Sequence, residues 1–117
     1  MANQERRKFP RIHDEGLALK LNAGGFDTMT HTMDISASGT YCKVSRQIPL
    51  MSRVKIVLMV PEAGKGEPRQ LELDGVVVRE HPVIIDGAIK HYDVAIFFDN
   101  LSEKDKSAIE NYIAKKK

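Results

Sequence analysis

The 117-residue sequence holds one cysteine, no tryptophan, three tyrosines and four phenylalanines. A lone Cys42 can form no internal disulfide and cannot by itself build a cysteine-based zinc site. It is compatible with a reducing compartment. So few aromatics leave no series of stacking platforms of the kind that single-stranded nucleic acid needs. Charge of one sign is also lacking. Eighteen Lys and Arg stand against sixteen Asp and Glu, a net +2. A binder of nucleic-acid polymer is not expected from that balance, and any basic function must be local. The longest apolar run, Ile56 to Pro61, falls far short of the ~20 residues of a membrane span. Met1 to Arg11 is polar and basic with no apolar stretch behind it, so neither a signal peptide nor membrane insertion is expected. What remains is an ordinary globular mixture, 42% apolar and 29% charged, read as one cytoplasmic domain.

Catalytic and metal patterns are missing as well. His13, His31, His81 and His91 are scattered without ligand spacing. His91 and Asp93, two apart in a strand, are a common chance pairing. Cys42 lies mid-strand, where a buried apolar thiol is expected rather than a nucleophile. Ser36 and Ser38 sit in no Gly-x-Ser-x-Gly elbow, and Gly64-Lys65-Gly66 lacks the frame of a phosphate loop. The chain is read as no enzyme, with no metal and no cofactor.

What is present is alternation. Leu17, Leu19 and Leu21 alternate with polar or small residues, and Gly24-Gly25 then marks a turn into a Thr-rich strand from Phe26 to Met33. Asp34 to Gly39 reads as a small, polar loop. Further strands are expected at Thr40–Ser45, Val54–Val60, Leu71–Arg79 (with a bulge at Gly75) and Tyr92–Phe98. Pro61–Pro68 and His81–Gly87 are expected to connect them. Ser102 with Asp105 resembles a capping box, and Leu101, Ala108, Ile109, Tyr112 and Ile113 share one helical face. The fold class is therefore all-β: about six short antiparallel strands that form a small barrel or sandwich, followed by a C-terminal α-helix. Residues 1–117 form a single domain. The apolar stripe of the helix suits its own barrel or another chain, so both monomer and homodimer stay open.

Two features carry functional information. The arm clusters Arg6, Arg7 and Arg11, and guanidinium groups pair bidentately with phosphate and with the O6/N7 edge of guanine. A solvated tail is the plain alternative. The second feature is Asp34-Ile35-Ser36-Ala37-Ser38-Gly39, where Asp and Ser can hydrogen-bond on one side of a bend. A simple turn between strands would look the same.

In order, Arg7-x-x-x-Arg11 and Asp34-x-Ser36-x-x-Gly39 resemble the signature pair of PilZ domains, bacterial receptors for cyclic di-GMP. The late Val77-Val78-Arg79 and Ile96-Phe97-Phe98 strands and the terminal helix extend the resemblance over nearly the whole chain, and it implies a six-stranded antiparallel β-barrel (15–100) with a flexible N-terminal ligand-binding arm (1–14) and a C-terminal α-helix (101–117). It implies that Arg7 and Arg11 clamp the phosphates and guanine edges of the ligand. Asp34 and Ser36 would hydrogen-bond a guanine, Gly39 would keep the loop open, and Arg6 would be a further contact associated with a stacked ligand pair. Ala95 stands where many members have Gly, away from the expected contacts. The resemblance implies a cyclic di-GMP receptor without an attached output domain, which passes its signal to a separate, unidentified protein. The alternative is a PilZ-fold interaction module that leaves the ligand unbound.

Overall fold

Strict alternation along each apolar segment sends every second side chain to one side of a sheet. A sheet that is apolar on one face only must curl or be covered. In the computed structural model, which describes residues 12–13, 17–61 and 66–116, it does both. The strands are β1 (Ile12–His13), β2 (Ala18–Ala23), β3 (Phe26–Ser36), β4 (Gly39–Val44), β5 (Arg53–Val60), β6 (Arg69–Ile85) and β7 (Ala88–Asp99). Helix α1 (Glu103–Lys116) follows them. Neighbours run β3-β2-β5-β6-β7-β4, and β4 returns to β3, so six antiparallel strands close on themselves. The short β1 adds to β3 beside β2.

The interior is filled from the alternating positions: Leu19 and Leu21 from β2, Ile56 and Leu58 from β5, Leu71, Leu73 and Val77 from β6, and Val94, Ile96 and Phe98 from β7. Helix α1 adds Ile109, Tyr112 and Ile113, all buried, with Leu101 and Ala108 packed beside them. It packs on β3 and β5 of its own barrel. The expected cap is present, since Ser102 Oγ accepts a hydrogen bond from the Asp105 amide at 3.1 Å.

Four local expectations change. The segment from Asp34 to Ser36 is strand, not loop, because Ile35 is needed in the core and is wholly buried. Only Ala37 and Ser38 turn the chain. His81 to Ile85 is likewise strand. Asp86 (φ 54°) and Gly87 (φ 80°) supply the left-handed pair that a tight hairpin requires, so β6 and β7 pair out to Ile85–Ala88. Gly75 is not at a bulge. It pairs regularly with Val54 and Phe98, and a Cβ there would come 2.5 Å from Ile96 Cγ2. The irregularities of the β6–β7 ladder fall between Val77 and Arg79 and between Val83 and Ile84. Finally, Ile12 and His13, assigned to the arm, pair with Ile35 and Asp34.

The outer part of the β6–β7 hairpin extends past the last β4–β7 pair, Val44–Tyr92. It carries Ile84, Ile85 and Ile89, all exposed, while Leu50 and Met51 lie exposed in the β4–β5 connection. The Met51 amide donates to the Val77 carbonyl at 2.7 Å, which fastens that connection to the foot of the hairpin.

Cys42 is wholly buried on β4. Burial, reinforced by the negative charge of Asp93, pushes its thiol up from 9.0 to about 12. It is the buried apolar group that its mid-strand position suggested. The native state holds this proton more tightly than the unfolded chain, so the associated stability is complete below pH 9 and is lost as pH rises towards 12. Urea midpoints measured from pH 8 to 11 should fall with a slope that the Cys42→Ala variant lacks. The native thiol should also stay unreactive to a disulfide reagent at pH 8 until the protein is unfolded.

Candidate ligand-binding face

Paired residues in an antiparallel ladder project to the same side of the sheet. The register therefore states which side chains share the outer face of the barrel. Asp34 on β3 pairs with Tyr41 on β4, Tyr41 with Ala95 on β7, and Ala95 with Arg79 on β6. Two positions along, Ser36 pairs with Gly39, Gly39 with Phe97, and Phe97 with Val76. Between these rows lies the buried row of Ile35, Thr40, Ile96 and Val77, so the two outer rows face away from the core. The result is a patch four strands wide. Its two central strands alternate small and aromatic residues, Gly39 beside Phe97 and Tyr41 beside Ala95.

The Asp34–Gly39 motif forms the edge of this patch. The Asp34 carbonyl accepts the Thr40 hydroxyl at 2.6 Å, which ties the strand end to the start of β4. Ser36 is buried. Its Oγ lies 2.9 Å from Ser38 Oγ and accepts the Ser38 amide at 3.2 Å. These contacts shape the two-residue turn. The Ser38 carbonyl in turn accepts the Phe98 amide at 2.9 Å, which locks the turn onto β7. Gly39 opens β4 and lines no loop. A Cβ on it would overlap the Ile96 carbonyl oxygen and stand 3.2 Å from the Ile96 carbonyl carbon and 3.3 Å from Phe97 Cα.

Arg6, Arg7 and Arg11 lie outside the described residues. The structure does place Ile12, which follows Arg11 in the chain, against Ile35 between Asp34 and Ser36. Asp34, Ser36 and Gly39 are thus brought together at one end of the β3–β4 hairpin. The sequence reading overlooked the rest of the patch. Ala95, thought remote from the ligand, is in the row of Asp34 with only Tyr41 between. Tyr41, Phe97 and Arg79 fall in neither of the two motifs, and the signal for their shared face was the outward parity of their strands.

Other polar clusters lie outside these two rows. His91 Nε2 is 3.3 Å from Asp93 Oδ1, and Asp93 pairs with Lys43 one outward row beyond Tyr41 and Ala95. The neighbouring thiol of Cys42, held protonated, offers no nucleophile there. A cavity of about 540 Å³ is lined by Gly24, Gly25, Phe26, Ile48 and the exposed Arg46 and Arg53, among others. Arg46 lies over the Phe26 ring at 4.6 Å. This cavity sits at the other end of β3, roughly 25 Å along the strand from Asp34. Among the described residues no group of three or more His, Cys, Asp or Glu could hold a metal ion, and no helix is long and apolar enough to cross a membrane.

Residues 5–115 match the model of the PilZ domain. No curated protein sequence matches the chain. Among solved structures, the chain is similar to Bacillus subtilis MotI/DgrA, an inhibitor of motility. The TM-score is 0.80 and the identity 18%, over 95% of this chain and 51% of that one. It is similar to the K. pneumonia MrkH–c-di-GMP complex (TM-score 0.72, 20% identity, 93% of this chain and 51% of that one). The PilZ domain of Escherichia coli YcgR with c-di-GMP is also similar (TM-score 0.66, 15% identity, 93% and 90%). The chain spans about half the length of MotI/DgrA and MrkH.

Because the Gly39 position is filled by backbone and not by a movable side chain, Gly39→Ala should cost about 1–3 kcal/mol of stability. Urea denaturation of the ligand-free protein would show this, while Ser45→Ala, at an exposed position just past β4, should leave the midpoint within about 0.5 kcal/mol of wild type.

Proposed function

The chain belongs to the PilZ domain family, and from that membership we propose that it is a non-enzymatic, cytoplasmic receptor for cyclic di-GMP. The ligand lies between the arginine arm and the outer barrel face. Arg7 and Arg11 take its phosphates and the O6/N7 edges of guanine, and Arg6 adds a further contact. Asp34 supplies a carboxylate acceptor for the guanine N–H groups at the strand end, and Ser36 supports it. Gly39 lets β4 approach β7 closely enough to hold both in place. The whole of residues 1–117 acts as one domain, with 1–14 as the binding arm.

The observation that carries this reading is the β1–β3 pairing. It sets the chain immediately after Arg11 beside Asp34 and Ile35, so the residues that follow the first motif run along the strand that carries the second. Ordering the arm around the ligand costs conformational entropy, about 1–2 kcal/mol per backbone residue fixed. Charge-assisted hydrogen bonds to two phosphates offset that cost. The signal leaves as a surface composed of arm, ligand and barrel, which a separate protein reads. The exposed isoleucines of the β6–β7 hairpin suit a protein partner.

One observation favours the second reading, a PilZ-fold interaction module that leaves the messenger unbound. The Ser36 hydroxyl is already engaged within its own turn.

Calorimetric titration separates the two. Cyclic di-GMP should bind the wild-type protein, lose its heat in the Arg7→Ala/Arg11→Ala double variant, and have no counterpart with GTP or cyclic di-AMP. A ratio near two ligands per chain would assign Arg6 to a stacked pair. No heat and no shift in melting temperature for the wild type would leave the interaction module standing.

A further inference from the structure

The β4–β5 connection leaves β4 at the end away from the Asp34–Gly39 turn and reaches the start of β5 at Arg53. It is a fixed wall. The Ile48 side chain is buried, and its amide donates to Glu80 Oε2 at 3.2 Å. The Val77 amide donates to the Ser52 carbonyl at 3.0 Å, and Ser52 Oγ donates to the Pro49 carbonyl at 2.6 Å. Between this wall and the Gly24-Gly25 turn lies the cavity of about 540 Å³, inside the range of about 300–1,000 Å³ usual for ligand pockets. No atom stands within 4 Å of where a Cβ would begin on either glycine, so the turn leaves that side open. Neither sequence motif contributes a residue to it.

The charge of the cavity is one-sided. Arg46 and Arg53 line it, and among its described lining residues there is no carboxylate. The acids around it are already engaged: Asp99 holds Arg53 at 2.8 Å, Asp27 accepts from the Asn22 side-chain amide, and Glu80 takes the Ile48 amide. Arg46 is left as the uncompensated cation. Its guanidinium lies 4.6 Å from the centroid of the Phe26 ring, a contact that positions a cation through the ring face and leaves its N–H groups free. Among the described residues no hydrogen bond or ion pair uses them. One exposed guanidinium held in place matches one carboxylate, while a polyphosphate would bring more negative charge than the cavity balances. The apolar surface runs on past the cavity. Ala23 and Pro49 line it, and Leu50 and Met51, 59% and 70% exposed, follow in the same connection. Met51 has φ 69°, unfavourable for a residue with a side chain, and its amide is held by the Val77 carbonyl at 2.7 Å. A flexible thioether is thus kept in solvent by a hydrogen-bonded, strained turn, and such side chains suit adaptable protein-binding surfaces.

We propose that this cavity docks a segment of a partner protein in which a carboxylate side chain stands next to a bulky apolar one. The carboxylate pairs with the N–H fork of Arg46, and Arg53 adds a second, weaker attraction because Asp99 already offsets its charge. The apolar side chain fills the space against Ala23 and Pro49, and the segment continues over Leu50 and Met51. A small carboxylate would occupy the cavity but leave those two side chains in water. The occupant is therefore a peptide. The site contains no part of the Asp34–Gly39 motif, and it stands whether or not the chain binds cyclic di-GMP.

The test is titration of isotope-labelled protein with the peptide acetyl-Leu-Glu-Phe-Leu-amide, followed by amide chemical shifts, with Gln in place of Glu as the uncharged control. The Glu peptide should shift the Gly24, Gly25, Arg46 and Gln47 amides saturably at millimolar concentration or below. It should bind about 10-fold more tightly than the Gln peptide, as expected for one charge-assisted hydrogen bond. Arg46→Ala should abolish that preference, and Arg46→Lys should restore only part of it, because lysine lacks the planar fork. Lys43→Ala, which removes the same charge at another exposed position, should stay within about 2-fold of wild type. Met51→Asn keeps a residue that tolerates the left-handed backbone, so it should weaken the peptide without lowering the melting temperature. Unchanged amide positions away from the cavity will show that the variants fold. No saturable shift, equal affinity for the two peptides, shifts centred on Asp34 and Gly39, or equal losses in Arg46→Ala and Lys43→Ala would each overturn the assignment. Cyclic di-GMP titrated into the same samples tests the receptor reading separately, and its failure leaves the docking site in place.

Discussion

Closure of the barrel depends on how near β4 can come to β7. β4 is the strand shared between the first hairpin and the last strand, and it must bond on both edges for the sheet to have no open side. At its first residue the approach is so close that the Ile96 carbonyl occupies the volume where a side chain would begin. Only glycine permits this contact. The Phe98–Ser38 hydrogen bond forms in the same place and depends on the same proximity. The core residues Ile35, Thr40, Ile96 and Val77 line up across that seam, so the packing of the interior and the shape of the outer patch are fixed by one contact.

That arrangement explains how a small barrel can carry a site without hollowing its core. Alternation divides each strand between two tasks. Inward residues are mostly aliphatic, joined by Thr32, Thr40, Cys42 and Phe98, and contribute burial, at roughly 25 cal/mol per Å² of apolar surface. Outward residues are free of that demand. Here they include a carboxylate, two aromatics and an unpaired guanidinium within two adjacent rows. The motif serine links the two tasks, since its hydroxyl shapes the turn that presents Asp34. The exposed pairs elsewhere on the surface, Lys55–Asp74 at 3.0 Å and Arg53–Asp99, are solvated and add little to stability.

Local pattern carried much of this fold. The Leu17–Leu21 alternation and the Gly24-Gly25 turn gave the first hairpin, and Ser102, Asp105 and the Ile109–Ile113 stripe gave the helix and its buried face. The same pattern misled where composition and topology disagree. Asp34–Ser36 looks like a loop because two of its three residues are polar, but strands on a barrel surface are half polar by construction. His81–Ile85 was lost because Pro82 suggested a break and the Asp86-Gly87 turn signal was passed over. The outer patch could not be read locally at all. Tyr41, Ala95 and Arg79 meet Asp34 only through three successive strand registers, and the bulge after Val77 decides which residue of β6 joins them. Such long-range register is a property of the closed sheet, and no window of sequence contains it.

The projecting β6–β7 hairpin has a different consequence. Beyond Val44 and Tyr92 it pairs only with itself, so its two strands can gain or lose residues in matched pairs without shifting any register in the barrel. Its length and composition are therefore free to diverge while the outer patch of the barrel stays constant. The same property makes the Asp86-Gly87 tip a permissive point for grafting a foreign loop or reporter peptide.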